Sequence, residues 1–488
     1  MEKQEKIPNI IAIIGAIVLL VLAVVGLSYA FFSAFIKNGE TDPSIEGTGA
    51  NLSLVYTDGK SVITSSNIMP GWSATKTFTV TNNGEADTYY KLNISNITNE
   101  FVDGGLTFSI ASADGGTSVA EQAVGTTTRT ISPSITIAEG ATHTYTVTAK
   151  YINLNTDQTP DLGKSFSYTI GIEASQKPTF KDIILANNEV KTPITTPGAA
   201  VSTSSEALLA SAEDDYGTSY YFRGAVTNNY VEFANKCWRI VRIGGDNTVK
   251  LILHNDNISN ASNPCSSANN STTAAFVHYD GNIYKSEFNS NYNDNAYVGF
   301  MYGTPGSTTY EATHANTNKS TILTNLETWY NNNLKTYESV IDNNVFCNDK
   351  SLSSGSGYSA NATDYAARER LYTSKIPSLK CNGELSKITS KIGLITADEL
   401  AFAGYAVRGY ITTSYLKENA TGYSWWSLSP AGFYNKSLSY VFRVRSDNDA
   451  IDICNVNVDS SVRPVISLVS SITISGVSGT SEDPYVVK

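Results

Sequence analysis

The chain has 488 residues, of which 41% are hydrophobic and 16% are charged, and its formal net charge is −11. This length predicts two or three domains, and this apolar content is sufficient for ordinary hydrophobic cores, which argues against wholesale disorder. The acidic balance argues against nucleic acid or an anionic membrane surface as a partner, because both require a basic face.

The N-terminus carries an uncharged apolar run, Ile10–Leu27. A helix of this length is about long enough to cross a bilayer. Ser28 and Ala30 also form a small-residue pattern that is typical of a signal-peptidase site, which would make Phe31 the mature N-terminus. We therefore predict that residues 1–37 form a signal or transmembrane anchor. The protein is then either a single-pass cell-membrane protein with extracellular domains or, if cleaved after Ala30, a secreted protein.

Residues 45–175 show short runs in which apolar residues alternate with Thr, Ser, Asn and Lys. Such alternation, broken by turn signals, predicts strands with one buried and one solvated face. The runs are NLSLVY, KTFTVTNNG, YYKLNI, LTFSI, HTYTVTAKY and SFSYTIGI, with one more strand near RTISPSI. About seven such strands predict an all-β domain of the immunoglobulin-like sandwich kind.

Two patches of this region resemble the camelysin-like family of biofilm-fibre and surface proteins of Gram-positive bacteria. They are NIMPGWSATKTFTVTNNGEADTYYKL, residues 67–92, and the export segment that ends in SYAFFS. Some members of the family are described as metallopeptidases. This chain has no HExxH motif, and His143 is the only histidine of the region, whereas a zinc peptidase needs three ligands and an open position. The resemblance therefore implies a surface or fibre role without this catalysis.

Residues 176–204 differ from both flanking regions. The run FKDIILAN indicates one short helix, and the Pro, Thr and Ser residues that follow it are typical of a linker. We place the domain boundary near residue 200.

Residues 205–488 combine helix and strand patterns, which predicts an α+β domain. CWRIVRI and TVKLILH, separated by GGDN, predict a hairpin. Helical spacing predicts one helix over 320–341, with Ser320 as its N-cap. A second helix is predicted over 396–407, begun by a capping box of Thr396 and Glu399. Strand patterns resume in YVFRVRS, AIDICNVNV and VRPVISLV.

This region resembles surface proteins of gut Bacillota whose C-terminal domain is similar to the C-type-lectin-like fold of formylglycine-generating enzymes. The resemblance rests on KCWRIVRI, YVGFMYG, STILTNLETWYNNNL, IGLITADELAFAG, SWWSLSP and SVRPVISL, in that order, and covers most of residues 215–488. The related enzymes bind copper through a pair of cysteines near the C-terminus. Only Cys454 lies there in this chain, so the resemblance implies the fold without that activity, and we predict no cofactor.

The chain has five cysteines and no CxxC pair, so disulfides are expected in an exported protein rather than a zinc or thioredoxin-type site. Proximity in the sequence favours bonds between Cys237 and Cys265 and between Cys347 and Cys381, although other connectivities remain open. The odd number leaves at least one thiol free or paired between chains.

The stretch SWWSLSP, residues 424–430, carries the adjacent tryptophans Trp425 and Trp426. Neighbours in a strand point to opposite faces, so one is expected in the core and the other facing outward or lining a cleft. Together with Trp329 of the first predicted helix, at least one of them should lie in one continuous core. Arg463 is expected to be a buried arginine paired with a carboxylate.

Two loops rich in oxygen ligands, 289–297 and 445–450, could suggest calcium. Neither has the spacing of an EF-hand with its terminal Glu, and Asn and Asp also form turns, so we predict no metal site. There is no GxSxG, phosphate loop or HExxH either, although two glycosidase carboxylates could come from anywhere in the chain.

The stretch from Phe433 to Asp459 mixes Tyr, Ser, Asn and Asp with apolar strand residues, which suits a binding surface. Trp426, Tyr434, Tyr440 and Asn448 are the candidate ligand contacts. The sequence therefore predicts a non-catalytic surface protein with a lectin-like head on an immunoglobulin-like stalk, which binds an extracellular protein or glycan. The alternatives are a structural subunit of an extracellular fibre and an enzyme acting on wall or host glycan.

Overall fold

The computed structural model describes residues 54–58, 68–101, 104–175, 178–408, 413–472, 474–475 and 478–487. The chain divides into two compact units between Lys177 and Pro178, and both are rich in strands. The alternation patterns predict this for the first unit, whereas the second was predicted to be α+β. The anchor predicted over residues 1–37 lies outside the described residues. No helix in the described part is long and apolar enough to cross a membrane.

The first unit is built from two antiparallel sheets that share one hydrophobic core. The sheets have the strand orders β1-β2-β7-β4-β5 and β6-β3-β8. The strands are β1 (Leu54–Asp58), β2 (Trp72–Asn82), β3 (Thr88–Asn99), β4 (Leu106–Ser112), β5 (Val119–Ala123), β6 (Arg129–Ile137), β7 (Thr142–Tyr151) and β8 (Phe166–Ser175). Burial alternates along β3 and β7, because the apolar side chains of both sheets face inward.

His143 takes part in a buried polar chain inside this unit. It lies on β7, and its Nδ1 is 2.7 Å from the hydroxyl of Tyr90, which in turn is 2.5 Å from the hydroxyl of Tyr145. Burial lowers the pKa of His143. The histidine thus bonds one buried tyrosine, Tyr90, which in turn bonds the second.

The segment predicted as a linker is part of the second unit. Its helix α1 (Phe180–Asn187) forms where FKDIILAN indicates it, and Thr179 and Asp182 make a capping box at its start. Phe180 and Ile184 are fully buried in the large core of the second unit. The boundary therefore lies at residue 177 rather than near 200, because α1 covers apolar surface that would otherwise face water.

The second unit contains two large sheets and several short two-stranded ones. The first large sheet has the order β27-β13-β12-β11-β29-β28, with β10 paired to β12 and β9 paired to β10. The second has the order β16-β26-β23-β21-β20, with β24 paired to β23 and β25 paired to β24.

The strands before the middle of this unit are β9 (Ala207–Asp214), β10 (Gly217–Gly224), β11 (Tyr230–Phe233), β12 (Lys236–Ile243), β13 (Val249–Asn255), β14 (His278–Tyr279), β15 (Asn282–Ile283), β16 (Lys285–Ser286), β17 (Met301–Tyr302) and β18 (Asn318–Lys319). The remaining strands are β19 (Asn344–Cys347), β20 (Leu352–Gly355), β21 (Thr363–Tyr365), β22 (Lys387–Ser390), β23 (Trp425–Tyr434), β24 (Leu438–Val444), β25 (Ile451–Asn455), β26 (Ser460–Ser461), β27 (Val465–Leu468), β28 (Ile474–Ser475) and β29 (Tyr485–Val487). The hairpin of CWRIVRI and TVKLILH is β12–β13, as predicted.

The helices of the second unit are short. They are α2 (Tyr310–Thr313), α3 (Thr321–Asn333), α4 (Ala366–Arg368), which continues into a π-helical turn at Glu369–Ser374, and α5 (Ala397–Phe402). The N-caps predicted from the sequence are confirmed, since Ser320 caps α3 and Thr396 forms a capping box with Glu399 at α5. Both helices end earlier than predicted. Three consecutive asparagines close α3, and asparagine has a low helix propensity.

Both tryptophans of SWWSLSP are completely buried in the same core as Trp329. The expectation that one of them faces outward is wrong, because both faces of β23 are covered. The Trp426 ring packs edge-on against Phe288, and its indole N–H donates to the carbonyl of Ser286 at 2.7 Å. The Trp425 ring lies under the guanidinium of Arg463 on the opposite face.

Replacing Trp329 by alanine should lower the free energy of unfolding of the second unit by about 3–5 kcal/mol, because it removes a large side chain that is only 2% exposed. Chemical denaturation followed by fluorescence measures this change. Tyr337→Ala, at a position 40% exposed just beyond the same helix, is the matched control and should have a much smaller effect. Equal effects of the two substitutions would contradict the helix phase.

Candidate functional site

Both predicted disulfides are present. Cys237 bonds to Cys265 and Cys347 bonds to Cys381, with Cα–Cα distances of 5.0 and 5.5 Å. Cys454 is free and buried on β25. Burial raises the pKa of its thiol, which makes the thiolate scarce at neutral pH.

The four candidate ligand contacts lie in three different environments. Trp426 is completely buried and its N–H is already bonded, so a ligand at the surface does not reach it. Tyr434 and Tyr440 lie together at the neighbouring ends of β23 and β24, with ring centroids 5.3 Å apart. Asn448 lies in the turn beyond the other end of β24, where its Oδ1 accepts the N–H of Ala450 at 3.1 Å.

The two partly exposed tyrosines belong to a larger surface that we name the Tyr–Arg face, which consists of Tyr434, Tyr440, Arg368, Tyr372 and Arg408. The guanidinium of Arg368 lies 5.3 Å from the ring centre of Tyr434 and 5.6 Å from that of Tyr372. The guanidinium of Arg408 lies 4.6 Å from the ring centre of Tyr372, so this ring contacts two arginines. The face is therefore a ladder in which aromatic rings alternate with arginines.

Two carboxylates hold the tyrosines of this face in place. Asp364 accepts the hydroxyl of Tyr434 at 2.6 Å and a guanidinium N–H of Arg368 at 2.8 Å. Asp452 accepts the hydroxyl of Tyr372 at 2.7 Å. Burial raises the pKa of Tyr372, and its hydrogen bond to Asp452 raises it further, so the tyrosine stays neutral. A rigid tyrosine loses little conformational entropy on binding, which suits a contact surface.

Arg408 is the exposed member of the face, and the other four are half-buried. No described carboxylate forms a salt bridge with Arg408, whose guanidinium lies against Tyr372. Arg368 also keeps a buried Nε–H for which the described residues supply no acceptor. Tyrosine and arginine are among the residue types that contribute most binding energy at protein–protein interfaces.

A second feature is a cleft beside the Cys347–Cys381 disulfide, made of two adjoining cavities that share Arg242 and Lys250 in their walls. Each has a volume of about 30 Å³, which is room for ordered water but not for a sugar ring. Glu399 accepts from Arg242 at 2.9 Å and from Lys250 at 2.7 Å. On the far side, Arg370 makes a bidentate pair with Asp398, at 2.9 Å for each bond.

The charges of this cleft are largely neutralised by one another. Burial opposes ionisation of Glu399, but Lys250 and Arg242 outweigh it and lower the pKa of this carboxyl to about 2. Burial also opposes the charge of Lys250 and lowers its pKa, and the nearby Glu399 offsets only part of this shift. The same Glu399 accepts the backbone N–H of Thr396 in the capping box. The cleft therefore holds the start of α5 to β12 and β13, and it is better explained as a structural network than as a ligand site.

The loops considered for calcium use their oxygens internally. Asp294 caps a short turn by accepting the N–H of Ala296, and Asp447 is paired with Arg445. Asp449 accepts from Lys417 at 2.8 Å. Among the described residues there is no group of three or more His, Cys, Asp or Glu side chains that could hold a metal ion.

Three residues that complete the Tyr–Arg face were not predicted from the sequence: Arg368, Tyr372 and Arg408. They come from two segments far from β23 and β24 in the chain. Arg368 and Tyr372 lie four residues apart on a helical turn, which was the one signal that could have placed them on a common surface.

Comparison with known proteins adds no assignment. No protein-family model matches the chain, and no curated protein is significantly similar to it.

Replacing Glu399 by glutamine should lower the free energy of unfolding by about 3–5 kcal/mol, because the buried Lys250 loses its carboxylate and Arg242 keeps only Asp214. The contribution is present in full above pH 4.5, the ordinary pKa of this carboxyl, and is lost as the pH falls towards its folded value of about 2. The difference between wild type and variant, measured by chemical denaturation, should therefore shrink over that range. Glu338→Gln, in an exposed pair with Lys335, is the control and should leave stability unchanged.

Iodoacetamide should alkylate no cysteine of the native chain and one cysteine, Cys454, once the chain is denatured. Cys454 is 8% exposed, and burial raises its pKa, so the native protein should resist iodoacetamide. Denaturation without reductant should label Cys454 alone, and peptide mapping should recover the 237–265 and 347–381 links. A label on any other cysteine would contradict this pairing.

Proposed function

We propose that this chain is a non-catalytic bacterial cell-surface protein that binds an extracellular partner through the Tyr–Arg face of its second unit. The observation that carries the proposal is the ladder of Tyr434, Arg368, Tyr372 and Arg408, with the Tyr440 ring tilted against Tyr434 at one end. Such a surface displays the residue types that contribute most binding energy at interfaces.

The fold that we propose for each unit is the one that its sequence resemblance implies. The two sheets and shared core of the first unit support an immunoglobulin-like, camelysin-like sandwich. The short helices around irregular sheets in the second unit, together with its two disulfides, support a C-type-lectin-like domain. We propose that residues 1–37 anchor or export the chain, which accords with disulfides in an oxidising compartment.

An extracellular protein fits the face better than a free sugar. The rings of Tyr434 and Tyr372 already have a guanidinium against them, so they are less free to stack on a sugar. A broad surface of tyrosine and arginine with a polar rim is typical of contacts between proteins. A glycan is the second class of ligand that we propose for the same face.

The test is a protein and glycan array probed with the full chain, followed by affinity measurement on any partner found. Tyr440→Ala and Arg408→Ala should each weaken binding by about 10-fold or more, because hot-spot truncations typically cost about 2 kcal/mol. Both side chains are at least partly exposed, so the melting temperature should change little.

Tyr216→Ala is the matched control, since Tyr216 is 54% exposed in the turn between β9 and β10, outside the Tyr–Arg face. It should bind as wild type does. Unchanged binding in Tyr440→Ala and Arg408→Ala would place the binding surface elsewhere. Hydrolysis of an arrayed glycan would instead favour the glycan-active enzyme, and polymerisation of the purified chain would favour the fibre subunit.

A further inference from the structure

Three arginines of the second unit, Arg223, Arg239 and Arg463, are each 0% exposed, and they differ in how their charge is compensated. Arg223 pairs with Glu206 at 2.6 Å, and its remaining nitrogens donate to several oxygens nearby. Arg239 pairs with Glu418 at 2.9 Å, and its other nitrogens donate to Asn229 and Val226. These two follow the rule that a buried charge is paired.

Arg463 does not follow this rule, contrary to the carboxylate partner expected from the sequence. Its Nε donates to the carbonyl of Leu253 at 2.8 Å, and its Nη1 donates to the carbonyl of Leu416 at 2.6 Å. Its Nη2 is buried and has no acceptor among the described residues, none of which forms a salt bridge with this side chain. A guanidinium has five N–H donors, so most of its capacity is unused.

Other unpaired polar atoms surround this arginine. The Trp425 ring centre lies 5.1 Å from the Arg463 guanidinium, and its buried Nε1–H has no acceptor. Ser461, paired with Trp425 between strands, has an unpaired buried hydroxyl, and so does Tyr415, which interacts electrostatically with Arg463. We name Arg463, Trp425, Ser461, Tyr415 and His254 the Arg463 donor cluster.

His254 adds a further unpaired atom. The side-chain amide nitrogen of Asn419 lies 3.2 Å from its Nε2 and also contacts the His254 carbonyl and Oδ1 of Asn270, at 3.2 and 2.9 Å. The Nδ1 of His254 is buried and unpaired. Burial lowers the pKa of His254 well below its usual value, and the neighbouring charges of Arg239 and Arg463 lower it further, so the ring is neutral.

The charges around the cluster do not balance. Arg239 and Arg463 bring two buried positive charges, whereas Glu418, whose side chain is 39% exposed, brings one negative charge and is already bonded to Arg239. The indole N–H and the guanidinium are donors only. An interior with excess donors and excess positive charge lacks an acceptor that is negatively charged.

We propose that the Arg463 donor cluster binds a small inorganic anion of the size of chloride, which serves as the buried counterion of Arg463. The anion accepts from Nη2 of Arg463 and from the indole N–H of Trp425, and the hydroxyls of Tyr415 and Ser461 turn their protons towards it. A water molecule would fill the same place less well, because it must also donate two protons and supplies no charge. The site is thus a structural halide site beneath β23.

The first test is thermal unfolding of the full chain in chloride, bromide or gluconate at equal ionic strength, followed by tryptophan fluorescence. Four of the five tryptophans, at positions 238, 329, 425 and 426, lie in the second unit, so the signal reports mainly on it. An anion that binds the folded state alone raises the melting temperature with its concentration. Chloride and bromide should do so, whereas gluconate is too large to enter. Equal melting temperatures in all three salts would overturn the proposal.

Conservative variants separate the site from general salt effects. Trp425→Phe keeps the ring beneath Arg463 but removes the N–H, and Tyr415→Phe removes the unpaired hydroxyl. Each should weaken the apparent halide affinity by about 5-fold, the equivalent of one hydrogen bond. Tyr330→Phe is the matched control, because Tyr330 is a buried tyrosine of α3 whose hydroxyl is also unpaired. It should keep the wild-type halide response, and an equal loss in all three variants would contradict the site.

The location is decided by anomalous diffraction from crystals of the full chain grown in bromide. A bromide peak within hydrogen-bond distance of Nη2 of Arg463 supports the proposal. Ordered water at that position, with no bromide, overturns it whatever the unfolding measurements show.

Discussion

The second unit is organised around β23, a strand that is buried along nearly its entire length. Nine of its ten residues are buried, and only Tyr434 at its end is partly exposed. A strand covered on both faces must have all its side chains accommodated by the elements packed against it. Within the sheet, β21, β24 and β26 pair with this strand. The place where β23 leaves the core is also where the Tyr–Arg face begins.

This constraint joins the two functional proposals. On one face of β23, Trp425 lies against Arg463, whose charge has no carboxylate partner among the described residues. At the outer end, Tyr434 enters the ladder with Arg368. A counterion under the strand would stabilise the platform, and the exposed end would supply the contact surface. A rigid platform under the strand would let the exposed end bind a partner without reordering.

Three buried charged groups of the second unit are compensated in three different ways. Arg223 is neutralised by Glu206, and Glu399 serves two cations at once while it caps α5. Arg463 has only carbonyl acceptors in the described part of the chain. Removing a charge from water is costly, and in the first two arrangements ion pairs offset this cost. Arg463 has no such pair among the described residues, and for this reason we propose a ligand for it. The small cavities by the second disulfide, in contrast, border charges that are already paired.

The sequence by itself determined the local features: the strands of the first unit, the caps at Ser320, Thr396 and Glu399, the β12–β13 hairpin and the two disulfides. These depend on residues close together in the chain or on spacing within one element. Only the tertiary structure decided that α1 belongs to the second unit, that Trp425 and Trp426 are both buried, and that Arg463 has no carboxylate. It also joined Arg368, Tyr372 and Arg408 to Tyr434. Coverage of the second face of a strand, and the partners of a buried charge, are set by segments distant in sequence, and no local pattern encodes them.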